Sequence, residues 1–280
     1  MTVALIALLV AVRGVAEADR IAGRAALLGA RSLMTATLDA VPAGRDPLAR
    51  HLTFFFRTIA GGSPIRRFDV DMTKRMHLVI VGDDLRSFAH VHPVLHPDGR
   101  FTLDQRFAAP ARYHLYADVM PTGLGHQVER FDLSVDGGSA ARHRDLAPTA
   151  PRVRAGPYVV VLDRVGLRAG RENRIAVDIR RGGEPAHDLR SYLGARAHAV
   201  LVDAATLGYL HVHAQAASDA EMEMGMNGAM AMPALRDGVT VAPTMILRIA
   251  PDRAGAYVLW LQFRGASRVY VARFVLDVER

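Results

Sequence analysis

The chain has 280 residues, half of them apolar and 22% charged, which excludes wholesale disorder and predicts about two domains with cores of ordinary size. Absence of cysteine excludes a disulfide framework, an iron–sulfur cluster, a zinc finger and a thiol nucleophile. The net charge is +7, yet every basic residue except Lys74 is an arginine and none falls in a long run, so no nucleic-acid partner is expected.

Val3 to Val12 is apolar and uncharged, the length of a signal-peptide hydrophobic region and too short to span a bilayer. Arg13 closes it, and Ala16-Glu17-Ala18 supplies the small-x-small spacing of a cleavage site before Asp19. Residues 1–18 therefore read as a signal peptide or anchor, and the protein as periplasmic or secreted, or held at the membrane by that segment. Residues 19–47 mix Ala, Leu and Arg with helical propensity and end on a Pro/Gly-rich stretch from Val41 to Pro47, which predicts a short helical stalk and linker.

From residue 48 the pattern changes to short β-branched and aromatic runs separated by Gly-Gly and Asp-Gly turns. An internal repeat organises them. His77, His90 and His92 recur as His198, His211 and His213, all shifted by 121 residues, with matching apolar runs at 78–81 and 199–202. Farther on, Tyr113-His-Leu-Tyr116 answers Tyr257-Val-Leu-Trp260. The expectation is an all-β protein of two tandem antiparallel immunoglobulin- or cupredoxin-like sandwiches, at 48–145 and 150–280, behind the helical N-terminal segment. The proline-rich stretch from Asp145 to Pro157 marks the boundary.

On a strand, residues i and i+2 share a face, so His90 projects with His92 and His211 with His213. A four-residue turn at 82–85 would set His77 opposite His90 and bring three imidazoles within reach of one ion, with His198 doing the same in the second module. Neutral imidazole suits copper, zinc, iron or nickel, and three ligands leave a position open. The remaining histidines (His51, His96, His114, His126, His143 and His187) have no counterpart in the other copy and are assigned to surface or packing roles.

The second copy also carries an insertion containing Met222, Met224, Met226, Met230 and Met232 among Gly and Pro. Thioethers are soft ligands that favour Cu(I), and a glycine-broken polar loop is no place for core methionines. No G-x-S-x-G, G-x-G-x-x-G, P-loop or H-E-x-x-H motif occurs, so no enzyme activity is expected.

At Lys74-Arg-Met-His-Leu-Val-Ile-Val, Phe88-Ala-His-Val-His-Pro and Tyr113-His-Leu-Tyr-Ala-Asp118 the chain resembles the bacterial exported β-sandwich proteins labelled YtkA-like or heavy-metal-binding, some of which carry the module twice. The resemblance implies an immunoglobulin- or cupredoxin-like fold and an extracytoplasmic location. It departs at Met72, where a histidine often stands in that group. Together these readings describe an extracytoplasmic transition-metal binder, copper first and zinc second. It would buffer the metal or deliver it to a membrane or periplasmic metal-handling partner. The competing reading is a non-catalytic envelope scaffold whose histidines are structural.

Overall fold

A computed structural model describes residues 19–28, 30–140, 144, 146–163, 166–216 and 234–280. Residues 1–18 of the expected leader, His143 and the five insertion methionines lie outside the described residues. Among the described residues all regular structure is β, and every pairing between named strands is antiparallel.

The first module runs β1 (Asp19–Ala22), β2 (Arg24–Ala25), β3 (Met34–Pro42), β4 (Ala49–Thr58), β5 (Met76–Gly82), β6 (Phe88–Val91), β7 (Val94–Leu95), β8 (Phe101–Arg106), β9 (Ala111–Val119) and β10 (Gln127–Val135). Its outer sheet has the order β1-β3-β4-β8-β7 and its inner sheet β2-β10-β9-β5-β6. The second module runs β11 (Arg152–Ala155), β12 (Tyr158–Asp163), β13 (Asn173–Arg181), β14 (Glu184–Pro185), β15 (His198–Asp203), β16 (Tyr209–His213), β17 (Thr244–Ile249), β18 (Gly255–Arg264) and β19 (Val269–Val278). Its inner sheet is β16-β15-β18-β19; its outer sheet is β11-β12-β13-β14, with β17 also paired to β13.

The expected helical stalk is corrected: residues 19–42 contribute three strands to the first sandwich. Met34-Thr-Ala-Thr-Leu-Asp-Ala alternates with period two, and Met34, Ala36, Leu38 and Ala40 are buried against the core that holds Leu52, Phe54 and Phe56 of β4. Burial of that face outweighs the helical preference of Ala and Leu, which is worth only tenths of a kcal/mol per residue.

β5 and β15 are buried along their whole length, as strands are when both faces are covered. Leu78 and Ile80 point into the first sandwich, whereas Val79 and Val81 point out of it into a third apolar cluster with Val200, Val202, Val258 and Trp260. The two inner sheets therefore pack back to back, and the molecule is four layers deep.

Contacts across this central seam come in reciprocal pairs. Phe88 stacks on Trp260 with centroids 5.5 Å apart, and Tyr209 stacks on Tyr116 at 4.8 Å. Phe88 and Tyr209 are repeat equivalents, as are Tyr116 and Trp260, so the interface is isologous, like that of a two-fold dimer. Arg144 pins the seam by donating to the carbonyl of Asp83 at 2.7 Å and to that of Ala204 at 2.8 Å. Each module also has a tyrosine corner: the Tyr113 hydroxyl donates to the carbonyl of Ala109 and the Tyr257 hydroxyl to that of Arg253, both at 2.9 Å.

Candidate metal centre

The six repeated histidines all stand on the seam face. β5 pairs Leu78 with Val91 and Val81 with Phe88, so the turn spans 82–87 and His77 lies across from His92, two residues from the expected register. A shift by an even number keeps the face, so the expected convergence survives. β15 pairs His198 with His213 and Val200 with His211, the same register in the second copy. The two triads, expected one per module, meet in one centre: the His77 and His211 rings are 5.1 Å apart and those of His90 and His211 5.2 Å.

Four of the six rings are oriented by a hydrogen bond at the nitrogen that faces away from the centre. His77 Nε2 donates to the Asp71 carbonyl at 3.3 Å and His198 Nε2 to the Tyr192 carbonyl at 2.9 Å. Asp71 and Tyr192 are repeat equivalents, each followed by a left-handed residue, Met72 at φ 52° and Leu193 at φ 50°. His211 Nδ1 donates across the seam to Asp118 Oδ2 at 3.2 Å, and His90 Nδ1 to Gln262 Oε1 at 2.9 Å. Asp118 and Gln262 occupy the same place on β9 and β18, Asp118 directly across from His77 and Gln262 directly across from His198.

A backbone carbonyl or carboxylate oxygen can only accept, and Gln262 turns its amide oxygen to His90, so in this orientation each of the four rings carries its proton on the outward nitrogen. His77 and His198 keep Nδ1 unprotonated, and His90 and His211 keep Nε2 unprotonated. Those bare nitrogens face each other: His77 Nδ1 and His90 Nε2 are 3.0 Å apart, and His198 Nδ1 and His211 Nε2 are 3.3 Å apart. No proton lies between them while the rings are neutral. Burial, reinforced by neighbouring histidines, pushes His90, His198 and His211 well below the usual imidazole range. Burial, with His77 and Lys74, lowers His92 to about 3, and burial lowers His213 too. Nε2 of His92 and of His213, again repeat equivalents, is buried without a hydrogen-bond partner.

Asp118 is buried and works against its own desolvation. Hydrogen bonds from His126 Nε2 and His211 Nδ1 outweigh burial and hold it ionised, far below the ordinary carboxylate range. The Tyr209 hydroxyl donates to it as well, at 3.3 Å. Such a carboxylate–imidazole pair is the usual outer support of a metal-ligating histidine. Three-donor groups close enough to hold one ion are His77, His90 and His92, and His90, His198 and His211.

A cavity of about 590 Å³ reaches the centre at His213, its wall including Asp71, Met72, Met120, Arg196 and Gln215. Asp118, Gln262, Asp71 and Tyr192 are contributors that the sequence reading missed. Asp118 stood in a quoted motif, but nothing local marks it as the partner of a histidine 93 positions away. His126 and His114 also have defined partners. His126 supports Asp118, while His114 is clamped between Asp132 at 2.7 Å and Asp83 at 2.8 Å, away from the centre.

No curated protein matches the chain. Among solved structures it is similar to a mutant of Salmonella alpha-2-macroglobulin at 11% identity and TM-score 0.22, covering 94% of this chain and 21% of that one. It is also similar to the FN1-FN3 domains of chicken CNTN1 at 9% identity and TM-score 0.18, covering 95% and 100%. A family match spans most of both modules, at residues 40–137 and 152–280: the chain belongs to the family described as Domain of unknown function (DUF8832).

Proposed function

We propose that this protein is a transition-metal binder whose centre is the histidine cluster in the seam between its two modules. The carrying observation is the pair of bare imidazole nitrogens in each module, 3.0 and 3.3 Å apart with no proton to share. Two ligands of a tetrahedral ion with bonds of about 2.0–2.1 Å stand about 3.3 Å apart, so the spacing is that of a ligand edge. Neutral imidazole is the ligating form, and burial keeps His90, His198 and His211 in it at neutral pH. A merely structural cluster would place an N–H between facing nitrogens, because a buried acceptor left without a donor costs about 1–3 kcal/mol.

Copper is the first candidate and zinc the second. Both accept imidazole, and the thioethers of Met72 and Met120 on the cavity wall favour copper as the ion that enters. On this reading the protein buffers or delivers the metal outside the cytoplasm and has no catalytic role. The test is metal analysis of untagged protein, with a chelator competition titration of wild type and of a His90→Ala, His211→Ala double variant. Tight copper or zinc binding in the wild type, lost in the variant, is the expected result. A wild type that binds neither metal would return the histidines to a structural role in an envelope scaffold.

A further inference from the structure

We infer that the centre is dinuclear, with one ion held by His77, His90 and His92 and a second by His198, His211 and His213. This rests on the metal-binding reading above and goes beyond it in number and placement of ions.

Donor count makes the first argument. Six imidazoles converge, and a tetrahedral ion takes at most four. Spacing makes the second. Rings bound through nitrogen at about 2.0–2.1 Å in tetrahedral directions have centroids about 5 Å apart. Within the first triad the separations are 5.1, 5.1 and 4.8 Å, and within the second 5.5, 4.9 and 4.7 Å. The donor atoms of the first triad lie close enough together to hold one ion, and the second triad repeats its ring separations around His198 and His211, whose donor atoms are likewise close.

The outlying rings decide between one ion and two. A single ion in the middle of the seam would be reached by His77, His90, His198 and His211, whose rings touch across it. It would leave Nε2 of His92 and of His213 buried and unpartnered at equivalent places on either side. Two ions, one toward each outer ring, give both nitrogens a partner. His90 is near enough to join either group, but Gln262 occupies its Nδ1 and leaves it one donor. Once His90 serves the first ion, the repeat supplies His213 to complete the second. The two triads meet at His77–His211 and His90–His211, with centroids 5.1 and 5.2 Å apart, which puts the two ions close enough to interact.

The experiment is a titration of the untagged full-length protein with copper(II) sulfate, and separately with zinc sulfate. Bound metal per chain is measured after desalting, and the copper-loaded samples are examined by electron paramagnetic resonance. Wild type is expected to retain two ions per chain, with the copper sample showing a spin-coupled spectrum that includes a half-field transition. His92→Ala and His213→Ala should each lose one ion and show the spectrum of an isolated copper(II). Circular dichroism and thermal melts identify any variant that fails to fold, and the wild-type stoichiometry stands independently of them. One ion per chain, with an isolated-ion spectrum unchanged in both single variants, would overturn the dinuclear centre and leave the metal-binding reading intact. No retained metal in the wild type would overturn both.

Discussion

Asp118→Asn isolates the part of the centre that is held by charge. Asp118 is 3% exposed and receives three hydrogen bonds, from His126 Nε2, His211 Nδ1 and the Tyr209 hydroxyl. Asparagine keeps the size and one acceptor oxygen, but its amide nitrogen cannot accept. At least one of the three donors then loses its acceptor, at about 1–3 kcal/mol where it is buried His211 or Tyr209 and less where it is the part-exposed His126, and the others lose their ionic component. A net loss of about 2–4 kcal/mol follows, read as a lower denaturant midpoint at unchanged slope. The charge also enhances the basicity of His211, so metal affinity should fall about 10–100-fold. Sign also matters below neutrality. A carboxylate held low stabilises the fold above its unfolded pKa and loses that contribution as pH falls, so the variant should show a shallower acid limb than wild type. Guanidinium melts at pH 7 and at pH 4, with a chelator competition at pH 7, measure all three effects. A variant within about 0.5 kcal/mol of wild type and of equal affinity would show that Asp118 is not a support of the centre.

Acid should destabilise the metal-free protein. His90, His92, His198, His211 and His213 are held neutral when folded and protonate near pH 6.5 when unfolded. Stability is thus complete above pH 6.5 and falls below it by up to about 1.4 kcal/mol per pH unit for each buried ring. Denaturant melts between pH 7 and 5 test this, and a flat profile would contradict neutral burial. Trp260 is the only tryptophan, is 1% exposed and lies in the seam, so its fluorescence should be quenched by copper(II) loading; an emission unchanged by saturating copper would place the metal elsewhere. Trp260→Ala should cost about 3–5 kcal/mol by thermal or denaturant melt, since the cavity opens between two sheets that cannot close over it. Tyr113→Phe should cost about 1 kcal/mol, the value of one hydrogen bond to a turn carbonyl, measured by the same melts, and no change would mean the corner is not under load.

The repeat was legible because three histidines at one offset demand a shared origin, and strand parity then placed them on one face. The seam was not. Leu78 to Val81 and Ala199 to Val202 read as ordinary core strands, and nothing in an unbroken apolar run says that its two faces meet different cores. Asp118 and Gln262 escaped for a related reason: they lie toward the ends of long strands, one acidic and one amide, and only tertiary contact shows that they do the same job. Residues 19–42 misled because Ala and Leu have local helical preference, while the alternation in Met34 to Ala40 acquires its meaning from β4, which pairs with it. The two-residue error in the β5–β6 register was harmless to the site because parity, not turn length, sets the face.

The reciprocal seam has a further consequence for how such a centre can change. A dimer of identical modules would build the same interface, but any substitution in it would appear twice, on both sides at once. Joining the copies in one chain removes that constraint. Here one support of the centre is a buried anion, Asp118, and its counterpart is the neutral Gln262. A symmetric dimer would have to bury two carboxylates or none. The covalent link therefore lets one half of the centre be electron-rich and the other neutral, so that under the proposed function two otherwise matching sets of imidazoles differ in their affinity for a metal.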